Sequence, residues 1–357
     1  MRFRRLALLP LLVIAACGDD DTPAPPTTPP RFEPTGQELL STASPTKDED
    51  PAVLLARDGS IVVAWFSDRG GNSDIYITRA QSGTAWAAPV RVTTSVDGDF
   101  YPNLIQTDDG AFHLVWFRWY ALNRGHIWYN RSSNPLSWDT ANEVQVTTAD
   151  NVDDWVPTIA TTQDSLRVFF VSRERGGPGA TNDIYYASSA LGSDAWDDGR
   201  RFPHNSPFAH DHLPFAAWTG SQLDLVWVRH DTSQPVPWAD PPPASEIRHS
   251  STDDGVTWSG ESLVTPGSPT VHVFPQLYRR YGGEWRIVWT TTRSGAPQVV
   301  ELALAQIGSY PAALIENTAV GDGYSHRVTR TPVNGLYFGA WVQGPDGAQD
   351  IYYRFYR

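Results

Sequence analysis

A strand-like run built around an aromatic residue recurs six times along this 357-residue chain. In order, the runs read SIVVAWF, FHLVWF, LRVFFV, LDLVWV, WRIVWT and YFGAWV. Their aligned aromatic residues are Trp65, Trp116, Phe170, Trp227, Trp289 and Trp341. Successive aromatics are 51 to 62 residues apart. Self-similarity at a regular period of this kind indicates a propeller or a solenoid.

Each copy contains three further strand-like runs, so one unit has four strands. The run before each aromatic run has a proline at one aligned position, which valine occupies in the sixth unit. The aligned residues are Pro51, Pro102, Pro157, Pro214, Pro275 and Val328. The aromatic runs are apolar at consecutive positions, which is typical of strands covered on both faces. The 29 prolines and 28 glycines fit many short strands joined by turns. These features predict an all-β fold, a six-bladed β-propeller over residues 36–357.

The two ends of the repeat region complement each other. The sixth unit stops at Arg357, directly after its third strand, and residues 36–53 parallel residues 88–104, which contain a fourth strand. We therefore predict that residues 37–43 complete the last blade and close the ring. An open solenoid is the alternative, but it would need capping repeats, which the sequence lacks.

The segment before the repeats reads as an export signal followed by a tether. Residues 1–16 contain three arginines and then a short apolar run, as in a secretory signal peptide. Ile14–Cys17 resembles the bacterial lipoprotein cleavage box, which implies cleavage before Cys17, lipidation of its thiol and an anchor in a lipid membrane. A plain signal peptide with an incidental cysteine is the alternative. Residues 17–35 are proline-rich and predict an extended tether. We expect an outer-membrane location in a bacterial envelope.

The charge of the chain excludes one class of partner. The net charge is −13, and it becomes −16 without residues 1–16. Because such a surface repels phosphate backbones, we predict no nucleic-acid binding. Nothing in the sequence specifies a cofactor.

The stretch STDDGVTW, at residues 251–258, resembles the Asp-box, or BNR repeat, of the sialidase superfamily. Weaker versions end at Trp86, Trp138 and Trp196. We expect Asp253 to accept backbone hydrogen bonds, Gly255 to supply a positive φ, and Trp258 to pack on its own blade and donate its N–H to a carbonyl. The motif predicts a scaffold turn on the face away from the ligand site.

Two recurring sets of polar residues mark the start of each unit. Three residues before the aligned position lie Asp48, Asp99, Asp154, Asp211, His272 and Ser325. The loops after the aromatic runs carry Arg69, Arg118, Arg173, Arg229 and Arg293. The two sets could bind a polar ligand or a cation at the mouth of the channel. Alternatively, they are structural residues, ion-paired across blades, because catalytic residues are usually singular and structural ones recur.

The sialidase resemblance implies a catalytic site that is only partly recognisable here. Sialidases grip the substrate carboxylate with three arginines and use a tyrosine nucleophile. Tyr324 matches the nucleophile region, and Arg229 and Arg293 could serve as two of the clamps. The first arginine of the family is replaced, since Glu49-Asp50-Pro51 stands where Arg-Ile-Pro is expected.

Two functions therefore remain open. The first is a binding or scaffold module for a glycan or a protein, in which Trp119, Tyr120 and Trp238 could stack on sugars. The second is a sialidase-type glycoside hydrolase with a degenerate site. The His210-Asp211-His212 run offers two metal ligands and no third, so no metal site is predicted.

Overall fold

The computed structural model describes most of the repeat region. The described residues are 32–33, 35–41, 45–81, 85–120, 124–150, 152–173, 175, 181–231, 244–265, 270–291, 298–308, 313–314, 324–333, 335–345 and 347–356. The predicted leader, Cys17, Arg293 and Trp238 lie outside them. Tyr324 is placed in a strand by its backbone alone. None of the helices in the described ranges is both long and apolar enough to cross a lipid bilayer.

The described residues form six four-stranded antiparallel sheets. Blade 1 contains β2 (Asp48–Leu55), β3 (Ile61–Ser67), β4 (Asp74–Ala80) and β5 (Val90–Arg91). Blade 2 contains β6 (Gly98–Gln106), β7 (Phe112–Tyr120), β8 (Arg124–Ser132) and β9 (Val144–Gln145). Blade 3 contains β10 (Asp153–Thr161), β11 (Ser165–Arg173), β12 (Asp183–Ala190) and β13 (Arg200–Arg201).

The second half of the chain repeats this arrangement. Blade 4 contains β14 (Ala209–Trp218), β15 (Leu223–Asp231), β16 (Glu246–Thr252) and β17 (Ser262–Leu263). Blade 5 contains β18 (His272–Arg279), β19 (Trp285–Thr291), β20 (Gln298–Ala303) and β21 (Ala313–Leu314). Blade 6 contains β22 (Tyr324–Arg330), β23 (Tyr337–Gln343), β24 (Asp350–Tyr356) and β1 (Glu38–Leu39). Two short 3₁₀ turns lie at Thr140–Asn142 and Leu304–Gln306.

The six blades form a closed ring. The inner strands contact one another in the order β2, β6, β10, β14, β18 and β22, and β22 contacts β2 again. The predicted six-bladed propeller is thus confirmed. At the junction of the chain ends, β1 pairs antiparallel with β24, with Glu38 opposite Tyr353 and Leu39 opposite Tyr352. The pairing covers two residues of the segment 37–43.

The propeller also includes part of the segment predicted to be a tether. Phe32 is only 1% exposed and packs on Phe355 with ring centroids 5.0 Å apart. The Thr35 backbone N–H donates to the Phe355 carbonyl at 3.0 Å. The folded domain therefore begins at Phe32 or earlier, and the predicted boundary at residue 36 lies inside it.

The hydrophobic core lies between neighbouring blades. Ile61, Val63 and Trp65 of β3 pack against blade 6, whereas Val62 and Ala64 pack against blade 2. Every residue of β3 is buried because each face of the sheet is covered by a different blade. This arrangement explains why the aromatic runs are apolar at consecutive positions.

A β-bulge interrupts every inner strand at the same point. The residue at the bulge has φ between 48° and 56° in all six blades, at Asp50, Tyr101, Val156, Leu213, Phe274 and Ser325. In five blades proline follows it directly. A positive φ is strained for residues with a side chain, and its sixfold recurrence shows that the ring imposes it.

The bulge corrects the alignment of the sixth unit. The register shift lies between Glu49 and Ala52 in blade 1 and between Tyr324 and Arg327 in blade 6. His326 therefore occupies the proline position, where Val328 was predicted. Ser325 is the bulge residue and not the equivalent of Asp48. The sequence alignment failed here because the sixth unit lacks the proline that marks the others.

Candidate functional site

The two ends of the channel differ in which loops surround them. Each inner strand begins at one end, next to the point where the second strand of its blade finishes; we call this end the mouth face. The hairpins between inner and second strands lie at the other end, as do the Asp-box hairpins; we call that end the opposite face. The predicted acids, and those predicted arginines that lie among the described residues, fall at the mouth face.

The acids at the mouth face are buried and bound within their own blades. Asp48, Asp99 and Asp211 are 0% exposed. Each accepts the indole N–H of the second-strand tryptophan; the Nε1–Oδ1 distance is 2.9 Å for Trp116 with Asp99. Each also binds an arginine with two N–H groups, as Arg118 does through Nε at 2.7 Å and Nη2 at 3.0 Å. These ion pairs lie within single blades. The sequence analysis had offered ion pairs across blades as its structural alternative.

In the pair of Asp99 and Arg118, burial and the opposite charge of the partner shift each pKa in opposite directions. Burial raises the pKa of Asp99, while hydrogen bonds and charge from Arg118 act in the other direction. Burial disfavours the charged form of Arg118, yet the bonds and charge of Asp99 raise its pKa above the ordinary value. Removing one member of such a pair leaves an uncompensated buried charge, which costs about 3–5 kcal/mol. The recurring pairs therefore stabilise the blades.

Arg229 illustrates how little of these arginines is left for a ligand. Its Nε and Nη2 donate to Asp211, its Nη1 donates to both oxygens of Glu261, and its Nη2 also donates to the His204 carbonyl. A guanidinium has five N–H donors. All five are used inside the chain, so the predicted carboxylate clamp would require these bonds to break.

Blades 3 and 5 depart from the pattern. In blade 3, Arg175 and not Arg173 binds the buried Asp154, with Nη2 to Oδ2 at 2.6 Å. Arg173 instead pairs with Asp153, and its side chain is half exposed. In blade 5, the buried His272 replaces the acid and accepts from Trp289 Nε1 through Nδ1 at 3.1 Å. The predicted ligand roles of Asp99, Asp154, Asp211, His272, Arg69, Arg118 and Arg173 remain predictions.

A small polar cavity lies on the propeller axis, because all six inner strands line it. Asp50 and Arg327 meet there, and Ser325 Oγ donates to Asp50 Oδ1 at 3.0 Å. Burial, reinforced by the charge of Glu49, raises the pKa of Asp50 to about 7. Burial lowers the pKa of Arg327 to about 10 despite the charge of Asp50. The cavity has a volume of about 20 Å³, enough for about one water molecule and not for a sugar ring.

A larger cleft opens at the mouth face of blade 4, at the ends of β14, β15 and β16. Its volume is about 520 Å³, within the usual range for ligand sites. Phe208, 81% exposed, stands at the cleft. Asp231, Ser245 and Glu246 contribute polar groups to the same lining. The sequence analysis missed Phe208, although the apolar ring in the polar stretch HNSPFAH was a usable signal.

The aromatic residues predicted to stack on sugars are partly occupied. Trp119 is half-buried and packs edge-on against Phe117, with ring centroids 5.8 Å apart. Tyr120 accepts the Trp128 N–H at 2.9 Å through its hydroxyl and packs edge-on against His126.

The Asp-box hairpin of blade 4 is structural, but its details differ from the prediction. Asp254, not Asp253, caps the turn: its Oδ1 accepts from the N–H groups of Val256 at 2.7 Å and Thr257 at 2.6 Å. These hydrogen bonds lower the pKa of Asp254. Gly255 has the expected positive φ, at 70°.

The hairpin tryptophans fasten each blade to the preceding one. Trp258 packs edge-on against Phe169 and Phe202 of blade 3, with centroids 5.8 and 4.9 Å apart, in a cluster that also contains Leu223 and Leu225 of its own blade. Its buried Nε1 has no hydrogen-bond partner among the described residues, contrary to the predicted carbonyl contact. Trp86 packs in the same way on Phe338 and Tyr353 of blade 6.

Two of the blade 4 histidines, His212 and His230, form a hydrogen bond with each other. The Nε2 of His212 and the Nδ1 of His230 are 2.7 Å apart and share a hydrogen bond, while His210 Nδ1 accepts from the Asn182 N–H. Burial lowers the pKa of His212 and His230, the latter to about 4. Across the described part of the chain, no three potential ligands are arranged to hold a metal ion.

Comparison with known proteins identifies the fold. No protein-family model matches the chain, and no curated protein matches it in sequence. Among solved structures, the α-L-arabinanase of Penicillium chrysogenum, complexed with arabinobiose, is similar at 12% identity and a TM-score of 0.65, covering 87% of this chain and 93% of that one. NanB sialidase from Streptococcus pneumoniae is similar at 9% identity and a TM-score of 0.62, with 93% of this chain and 71% of that chain covered.

A protein of unknown function from Dyadobacter fermentans is also similar, at 12% identity and a TM-score of 0.64, with 90% and 98% of the two chains covered. At identities this low, the likeness establishes the β-propeller fold alone.

Proposed function

We propose that the protein is a glycan-binding module that uses the mouth face of its propeller. The exposed ring of Phe208 beside the 520 Å³ cleft carries this proposal. Sugar rings have an apolar face that packs on aromatic rings, and hydroxyls that bond to carboxylates such as Glu246. The fold is shared with an arabinanase bound to arabinobiose and with a sialidase, which supports a glycan as the ligand.

Binding is favoured over sialidase-type hydrolysis because Arg229, one of the two predicted clamps, is already bound within the chain. Arg229 would have to give up bonds to two carboxylates before it could grip a substrate carboxylate. The axial cavity beside Asp50 is too small for a sugar. Hydrolysis through Tyr324, with Arg229 and Arg293 as clamps, is the second candidate, and it rests on the sequence resemblance.

The experiment that tests this proposal is a glycan array followed by calorimetry on the purified protein. We expect a bound glycan whose affinity falls at least tenfold in Phe208→Ala. Tyr281→Ala is the matched control, because Tyr281 is a half-exposed aromatic on an opposite-face hairpin. Equal affinity in the wild type and Phe208→Ala would exclude the cleft. Turnover of fluorogenic sialosides, abolished by Tyr324→Phe, would instead establish the hydrolase.

We further propose that the module is exported and held at the bacterial outer membrane by lipid on Cys17. The lipoprotein-like box Ile14–Cys17 supports this. Mass spectrometry of the mature N-terminus should find acyl chains on Cys17, and Cys17→Ser should release the protein from the membrane fraction. An unmodified cysteine inside an intact or differently cleaved N-terminus would refute the anchor.

A further inference from the structure

We propose a second ligand site, for a small carboxylate-bearing ring compound such as a sugar acid, in the channel at the opposite face. A cavity of about 330 Å³ lies there, lined by the last residues of the six inner strands. That volume is within the range of small-molecule sites. This site is independent of the proposed glycan cleft, which lies at the mouth face.

The charges in the cavity favour an anion. Arg279 and Arg330 line it, and none of the described lining residues is an aspartate or a glutamate. The surrounding chain has a net charge of −13, so a carboxylate-free lining with two arginines is a local exception. The nearest acid on the adjacent hairpin, Glu284, is already paired with Arg286 at 2.7 Å.

The two arginines retain donors that no described residue uses, in contrast to Arg229 at the mouth face. Arg330 is half-buried and forms no hydrogen bond or ion pair with any residue in the described ranges. Arg279 uses only its Nε, which donates to the Gly283 carbonyl at 3.3 Å. A guanidinium with free N–H groups binds a carboxylate through two parallel hydrogen bonds.

The remaining lining suits the ring of such a ligand. Trp218 of blade 4 and Trp285 of blade 5 both line the cavity, and Trp285 Nε1 donates to the Thr219 carbonyl at 3.1 Å, which fixes its ring between the blades. Gln106 and Thr329 add polar groups. Asn103 and Phe215 line both this cavity and the axial cavity, whose volume is only about 20 Å³. A ligand must therefore enter from the opposite face.

Calorimetry on the purified protein tests the site with two pairs of probes, glucuronate against glucose and galacturonate against galactose. We expect at least one acid to bind ten times more tightly than its neutral sugar. Arg330→Gln and Arg279→Gln should each weaken that binding about tenfold, and Arg330→Lys should weaken it less. Arg200→Gln, which removes an exposed arginine on the outer strand of blade 3, is the matched control and should leave it unchanged.

Raising the salt concentration from 50 to 500 mM should weaken binding of the acid and spare any binding of the neutral sugar. The proposal fails if neither acid binds more tightly than its neutral sugar, or if Arg330→Gln has no effect. It also fails if Phe208→Ala abolishes binding of the acid, because the ligand would then occupy the mouth-face cleft. A glycan that depends on Phe208 while the acids fail would retain the first proposal and refute this one.

Discussion

Replacing Asp50 by asparagine should stabilise the protein, and more so as pH rises. Burial and Glu49 raise the pKa of this carboxyl from 3.8 to about 7. Because the folded state holds the proton more tightly than the unfolded state, ionisation of Asp50 favours unfolding. The cost is absent below pH 4, grows between pH 4 and 7, and is complete above pH 7. A shift of about three pKa units corresponds to about 4 kcal/mol at alkaline pH.

Asparagine has the shape of the protonated acid and carries no charge, so it avoids this cost. We expect Asp50→Asn to match the wild type at pH 4 and to exceed its unfolding free energy by about 4 kcal/mol at pH 8.5. Urea unfolding at both pH values, with an unchanged m-value, measures the difference. All other carboxylates are present in both proteins, so their contributions cancel when the two unfolding free energies are subtracted.

The opposite result would refute the reasoning in a recognisable way. If Asp50 is ionised at every pH because Arg327 holds its charge, Asp50→Asn leaves a buried guanidinium alone. The variant would then be less stable than the wild type at pH 8.5. A stability difference that does not change between pH 4 and 8.5 would show that folding does not raise the pKa of Asp50.

Three further predictions concern the scaffold. Asp99→Ala leaves Trp116 and Arg118 without their buried acceptor and should cost about 3–5 kcal/mol in urea unfolding; a loss below 1 kcal/mol would show that the pair is not structural. Asp254→Ala should slightly lower the midpoint of urea unfolding and leave ligand binding unchanged in calorimetry, since it only caps an opposite-face turn; altered affinity would contradict that role. Phe32→Ala should cost about 3–5 kcal/mol, because it empties a buried site where the chain ends meet; wild-type stability would mean that residues before β1 do not contribute to the ring.

The sequence predicted the fold well because the blade is a repeated solution to one packing problem. Apolar side chains at consecutive positions, as in Ile61 to Phe66, need neighbours on both faces, and six copies of that pattern satisfy one another in a ring. The bulge escaped the sequence analysis, since only the proline after Tyr101 or Leu213 marks it. In the sixth unit His326 occupies the position of that proline, and the sequence alignment wrongly placed Val328 there.

The site was less predictable because its details depend on the tertiary structure. Arg173 and Arg175 are both plausible partners for an acid, and only the path of the chain after β11 decides that Arg175 reaches Asp154. Asp253 and Asp254 are likewise adjacent, and the turn geometry selects the second. A sequence shows which residue types recur, but it does not show which donors they have already used.

The contrast between recurring and unique residues separates scaffold from function in this propeller. Where a residue type recurs, as with Asp99 and Asp211, the structure shows each carboxylate bound by the tryptophan and the arginine of its own blade. At the six bulge positions, by contrast, the backbone is identical while no two side chains are the same. Asp50 and Arg327 are the charged residues among those lining the axial cavity, and apolar residues of similar volume stabilise a core at least as well as buried charges do. Buried positions that break the sixfold pattern, such as Asp50, should therefore change folding when substituted, whereas exposed ones, such as Phe208, should change binding more than they change folding.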